Sequence, residues 1–331
     1  MIITRTPFRI SFFGGGTDYP AWYREHGGAV LATTIDKYCY VSCRHLPPFF
    51  SHKHRLVYSK IENVSDIRQI EHPAARAIFG WANIEGGVEV HHDGDLPARS
   101  GLGSSSSFTV GLVHAFNALK GQISSKENLA QSAIHIEQDL IGESVGSQDQ
   151  ISAAYGGFNM IEFHRDDLFS VSPVILTKER KVELESHLML CFTGFSRIAN
   201  EIAKSKIDNF KHRFQELSNI RQMVDEALAI LASPNISIEQ FGKLLDQSWQ
   251  QKRKLSDKVS SPEIDQIYAT AIKAGAMGGK LLGAGGGGFM LLFAPPEKHA
   301  AIREVLKSLV HVHFNFEDSG SKVVLYQPNG L

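Results

Sequence analysis

Three glycine-rich segments, each adjoining an apolar run, constrain this chain more than any other feature. They are Gly14-Gly15-Gly16 after Phe8 to Phe13, Gly101 and Gly103 within Pro97-Ala-Arg-Ser-Gly-Leu-Gly-Ser-Ser-Ser-Ser-Phe108, and Gly285 to Gly288 within Lys280-Leu-Leu-Gly-Ala-Gly-Gly-Gly-Gly-Phe289. Glycine loses more backbone entropy on ordering than any other residue, so four in succession between hydrophobic runs make poor core. Such runs suit a backbone that must approach something closely. The middle segment reads as a phosphate cradle, because its glycines free the backbone while the amides opening the next helix sit at the positive end of a dipole. That helix is predicted over 104–119, where Phe108, Leu112, Val113, Phe116 and Leu119 share one face. Its serines add hydroxyl donors and candidate magnesium ligands. Gly-Lys-Ser/Thr is missing, so the segment is not a Walker A loop.

The remaining pattern alternates strands and helices. Strands are predicted over 28–35, 38–44, 88–92, 188–193, 279–282 and 289–294, and near 311–316 and 322–327. Helices are predicted over 126–141, 210–232, 237–256, 262–274 and 297–310. This is an α+β chain without repeats, its halves meeting near residue 180. Its 331 residues, 43% hydrophobic and 21% charged, can bury a two-domain core. Lys plus Arg total 34 against 35 for Asp plus Glu, leaving no basic excess for nucleic acid. No apolar run approaches the roughly twenty residues needed to cross a bilayer, and no signal-peptide pattern follows Met1. A cytoplasmic location without membrane contact is the expectation. Cys39, Cys43 and Cys191 lack paired CxxC spacing and are expected to be buried free thiols.

In order and position, the three glycine motifs resemble those of the GHMP kinases, named for galactokinase, homoserine kinase, mevalonate kinase and phosphomevalonate kinase. The resemblance covers nearly the whole chain. It implies an N-terminal domain (1–180) like the second domain of ribosomal protein S5, a ferredoxin-like C-terminal domain (181–331) and an active site between them. It also implies ATP and Mg²⁺ as cofactors, with Pro97, Ser100, Gly101, Leu102, Gly103, Ser104, Ser105 and Ser106 binding the nucleotide. Glu137 matches the family's magnesium-binding glutamate, with Ser105 as a second ligand, and Asp149, twelve residues on in an Asp-Gln pair, matches the catalytic aspartate. Asp139 and Glu143 are neighbouring carboxylates within one turn of error, read as structural. Arg9 matches the arginine beside that aspartate, which acts either as a base or as an orienting charge. Gly15, Gly16, Thr17, Asp18, Gly285 and Gly286 fall in the substrate-binding motifs, although Asp18 after three glycines is also a natural turn residue.

Where galactokinase has Gly-Glu-His before Thr-Asp-Tyr, this chain has Gly14-Gly15-Gly16, which argues for a different or larger acceptor. The block Pro20 to Tyr38, Val145 to Gln150, Tyr155 to Asn159, Phe192 to Arg197 and Trp249 to Ser256 are similar to bacterial D-glycero-D-manno-heptose 7-phosphate kinases. That group phosphorylates the anomeric hydroxyl of a sugar phosphate, so the implied partner is a small sugar or sugar phosphate, and a homodimer is compatible. Arg197 is the first candidate to hold the acceptor's phosphate, and Lys252, Arg253 and Lys254 are the second. Alternatives are an L-fucose kinase-like enzyme and a non-enzymatic sensor on the same scaffold.

Overall fold

A computed structural model describes residues 1–194 and 199–328 of the chain; Arg197 lies outside them. The first half runs β1 (Ile2–Phe13), α1 (Pro20–His26), β2 (Gly28–Leu46), β3 (His54–Val57), β4 (Ile61–Val64), α2 (Pro73–Ala82), β5 (Gly87–Gly94), α3 (Ser104–Leu119), α4 (Lys126–His135), α5 (Gln148–Tyr155), β6 (Phe158–Phe163) and β7 (Phe169–Pro173). The second runs α6 (Lys178–Ser186), β8 (Leu188–Phe192), α7 (Ala199–Asn209), α8 (Phe214–Ala232), α9 (Glu239–Lys254), α10 (Pro262–Lys273), β9 (Gly278–Leu281), β10 (Phe289–Phe293), α11 (His299–Val305), β11 (Val310–Val312), β12 (Phe316–Glu317) and β13 (Lys322–Tyr326).

The two strands predicted at 28–35 and 38–44 are one, β2. Gly28 to Ile35 are buried throughout, whereas from Asp36 onward buried and open positions largely alternate, as on a sheet with one face toward water. β2 therefore serves as the hub of a sheet ordered β13-β1-β2-β5-β3-β4, with β12 and β6 also pairing to β2 and β7 to β6. Helix α3 packs against this sheet with twelve residues buried. It comes closest at Gly111, where a Cβ would lie 2.9 Å from the Thr6 hydroxyl. A second, antiparallel sheet of order β11-β8-β10-β9 belongs to the later chain.

A cut at residue 180 does not divide the molecule cleanly. β13 returns to pair with β1, Ile2 opposite Tyr326, and β12 sets Phe316 opposite Ile35 on β2. The main core also crosses the boundary: Phe12 meets Phe158 and Phe241 edge to face, and Phe13 does the same with Phe241. Smaller clusters gather around Trp249, Ile264 and Met290 beneath the second sheet, and around Tyr19, Trp22, Phe210 and Leu217. The last of these walls one end of the cleft described below.

Candidate active site

Arg9 sits on β1 where that strand meets the loop entering α3. Its backbone N–H donates to the Leu102 carbonyl at 3.0 Å and its Nη1 to the Gly101 carbonyl at 2.7 Å. Nε and Nη2 each donate to one oxygen of Asp149 at 2.7 Å, a two-point contact that fixes the carboxylate in plane and position. Asp149 stands in the first turn of α5 and stays partly open to the cleft, whereas Arg9 is nearly buried. Gly103, the residue before α3, has φ 73°, and a Cβ there would lie 3.2 Å from Arg9 Cγ and 3.5 Å from Asp149 Cγ. A side chain at 103 would thus meet both backbone strain and the ion pair.

The last glycine motif reaches the same place as the middle one. A Cβ on Gly101 would fall 2.6 Å from the Leu282 carbonyl oxygen, and one on Gly283 would fall 2.5 Å from Gly101 Cα. The Phe289 N–H donates to the Ser100 carbonyl at 3.0 Å, so the two loops lie backbone on backbone.

The helix predicted over 126–141 ends at His135 and continues as one wide turn, with the Ile141 N–H bonded to the Ile136 carbonyl at 2.9 Å. Wide turns of this kind gather at functional sites. This one carries Glu137, which is fully buried. Its Oε2 accepts from Ser106 Oγ at 2.9 Å and from Gln150 Nε2 at 2.6 Å, while Oε1 has no hydrogen-bond partner among the described residues. Burial pushes the carboxyl from its ordinary 4.5 up to about 7. Asp139 is exposed and pairs with His135 at 2.8 Å, and Glu143 lines the cleft.

Asp18 occupies the far end of the cleft, fully buried. One oxygen accepts the Gly16 N–H at 2.8 Å and the other accepts Gln148 Nε2 at 2.9 Å. Burial raises its carboxyl above the ordinary value. Three buried lysines line the same space. Lys252 donates to the Leu281 and Gly283 carbonyls at 2.7 Å each, and Lys280 to the Phe12 carbonyl at 2.7 Å. Lys206 stands over the Tyr19 ring, 5.4 Å from its centroid. Desolvation lowers all three, Lys280 to about 7 and Lys206 to about 8.

The cleft, about 380 Å³, thus brings together Arg9, Gly15, Gly16, Asp18, Gly101, Gly103, Ser104, Ser105, Ser106, Glu137, Asp149 and Gly285 of the expected residues. Others stand behind it. Thr17 is a buried strut whose hydroxyl donates to the Gly14 and Ala29 carbonyls, and Leu102 and Gly286 are anchored through backbone bonds to Arg9 and Val259. Pro97 and Ser100 also lie outside the lining. The hydroxyl that meets Glu137 is that of Ser106, whereas Ser105 is an exposed neighbour. Of the basic run 252–254, Lys252 alone enters the cleft; Arg253 pairs with Asp265 at 2.6 Å and Lys254 faces solvent.

Ser11, Lys206, Lys280 and Gln148 are cleft residues that motif reading passed over. A usable signal existed for two of them. Lys206 falls on the buried stripe Ile202, Ala203, Phe210, and Lys280 is a lone charge in a wholly buried strand.

Comparison with known proteins decides the family. The chain matches the GHMP kinases N terminal domain over residues 68–157 and the GHMP kinases C terminal domain over residues 227–311. It belongs to the GHMP kinase family. This GHMP kinase is 30% identical to the D-glycero-alpha-D-manno-heptose 7-phosphate kinase of Campylobacter jejuni, over 97% of its own length and 98% of that protein. It is 25% identical to the bifunctional fucokinase/GDP-fucose pyrophosphorylase of Arabidopsis thaliana over 94% of its own length, spanning 31% of that longer protein. The crystal structure of a D-glycero-D-manno-heptose 1-phosphate kinase from Bacteroides thetaiotaomicron shares the fold, with TM-score 0.78, 24% identity and coverage of 97% and 98% of the two chains. The protein is therefore a kinase with the two-domain GHMP kinase architecture.

The donor set of this kinase suits a magnesium ion at Glu137: a buried carboxylate oxygen without a partner stands beside the Ser106 hydroxyl, and magnesium favours hard oxygen ligands. Among the described residues no group of three or more His, Cys, Asp and Glu forms a metal cluster. Such an ion would draw its other ligands from phosphates and water. Cys39, Cys43 and Cys191 are buried free thiols, and among the described residues no helix is long and apolar enough to cross a membrane.

Proposed function

We propose that this kinase transfers the γ-phosphoryl group of ATP to the anomeric hydroxyl of a sugar phosphate, with D-glycero-D-manno-heptose 7-phosphate as acceptor and the 1,7-bisphosphate as product. The observation that carries the reading is the Arg9–Asp149 pair, set where two glycine loops touch and flanked by three buried lysines. Phosphoryl transfer asks a protein mainly to position two oxygens and to stabilise spread negative charge. The uncapped amides at the start of α3, with Ser104, Ser105 and Ser106, cradle the donor phosphates. Asp149, held by Arg9, accepts the hydrogen bond of the attacking hydroxyl and takes its proton late in the transfer. Lys252 and Lys280, fixed by carbonyls of the chain, set positive charge beside the reacting group. Glu137 and Ser106 would hold magnesium, which supplies charge neutralisation on the phosphates. Asp18 accepts hydrogen bonds from acceptor hydroxyls, and Arg197, outside the described residues, is the motif's candidate for the acceptor's phosphate. The 30% identity to the Campylobacter kinase supports the acceptor.

The test is a product-mass screen of sugars and sugar phosphates with ATP and magnesium, the position of transfer being read by phosphorus NMR. Heptose 7-phosphate should be turned over and unphosphorylated heptose poorly. The similarity to the Arabidopsis fucokinase favours a second reading, transfer to the anomeric hydroxyl of free L-fucose. Turnover of fucose in preference to heptose 7-phosphate would select it.

A further inference from the structure

Among the described residues of the cleft, Lys206 is the cation least accounted for. Helix α7 buries Ile202 and Ala203, and Phe210 follows at the same spacing, so position 206 is where an apolar side chain would complete the stripe. A lysine there gives up most of its hydration. Lys252 and Lys280 are compensated by three carbonyls, and Arg9 by Asp149 and a carbonyl. Among the described residues, Lys206 is compensated through space, by Asp18 and Asp149 and by the Tyr19 ring. Two buried polar atoms line the same cleft as Lys206 without a hydrogen-bond partner among the described residues, Ser11 Oγ and Gln148 Oε1. Apart from the Glu137 side of the cleft and Arg99, the cations Arg9, Lys206, Lys252 and Lys280 face the carboxylates Asp18 and Asp149, a local positive excess that suits a phosphate dianion. Buried polar groups are ordinarily paired, so an unpaired set around a carboxylate describes the ligand that completes it.

We propose that Lys206 anchors the acceptor, its ammonium holding the phosphate carried by the sugar while Ser11 and Gln148 pair with hydroxyls of the same molecule. The proposal rests on the sugar-phosphate reading above and assigns its specificity to a residue on α7.

The test uses full-length Lys206→Met, which keeps the bulk and removes the charge. With saturating magnesium and a non-hydrolysable ATP analogue filling the nucleotide side, inorganic phosphate should raise the Tm of the wild type and leave that of the variant unmoved. With heptose 7-phosphate as acceptor, the variant should show an acceptor KM raised about ten- to a hundredfold, with the ATP KM unchanged and kcat nearly kept. Lys206→Arg should recover part of the loss. The unliganded variant should melt at or above the wild-type temperature, since a costly buried charge is gone. Phosphate stabilisation that persists in Lys206→Met or is absent from the wild type, or a fall in kcat at unchanged acceptor KM, overturns the assignment. Failure of the wild type to use heptose 7-phosphate overturns the substrate reading instead, and the phosphate titration still decides the role of Lys206.

Discussion

Asp149 and Gln150 are chain neighbours that face opposite ways, one to Arg9 and the other to Glu137, so a single turn of helix ties the acceptor side of the cleft to its magnesium side. Asp149→Asn keeps the shape but turns an amide toward the guanidinium. Turnover should fall about 10²- to 10⁴-fold while nucleotide affinity, measured by calorimetry, stays within a few-fold. Glu137 makes a prediction about pH. Its folded carboxyl titrates near 7 against an ordinary 4.5, so the folded state binds the extra proton between those values and loses stability as pH rises through them. In the absence of metal, Glu137→Gln should match the wild type near pH 4 and exceed it by about 3 kcal/mol at pH 8, as read from denaturant melts. The same variant should need about tenfold more magnesium for activity, because a formal charge has left a hard-oxygen site.

At the scale of elements, the glycine loops divide into two kinds. Gly103 borders the ion pair, so Gly103→Val should abolish most activity while the circular dichroism spectrum remains folded. Gly283 borders only the backbone of the facing loop, where an added methyl would lie 2.5 Å from Gly101 Cα. Gly283→Ala should therefore cost about 2 kcal/mol or more of stability as well as activity. Equal and small losses at both positions would show that the loops are ordinary turns. The wide turn after α4 has a comparable effect on a neighbouring element. It carries Glu137 under Ser106 and, by adding a residue to the helical repeat, shifts the phase of the residues that follow.

For the molecule as a whole, the return of β12 and β13 means that neither half is self-sufficient. The Thr6 hydroxyl donates to Ser321 at 2.9 Å, and the Gln327 N–H bonds to the Met1 carbonyl at 2.9 Å, joining the first residues described to the last. A chain ending at Val312 would leave β1 as an open edge and strip Phe316 from the ring cluster with Phe12 and Phe158. It should show no cooperative thermal transition, whereas the full chain should unfold in one step. A folded, cooperative fragment 1–180 would refute this dependence.

Local sequence by itself determined the parts whose physics is local. The glycine runs marked where backbone had to come close and the apolar periodicity marked α3 and α8, whereas Glu137 and Asp149, which do share a cleft, were singled out by the resemblance to the GHMP kinases. Side-chain partners across the cleft were decided by tertiary structure, because burial and charge compensation are properties of neighbours far apart in the chain. Only the fold turned Ser106 toward Glu137, made Thr17 a strut and separated Lys252 from Arg253 and Lys254. Lys206 and Lys280 are the sharpest case: each is one charge among thirty-four in sequence, and each becomes an unusual buried cation only when β1, α7 and β9 close around the same space.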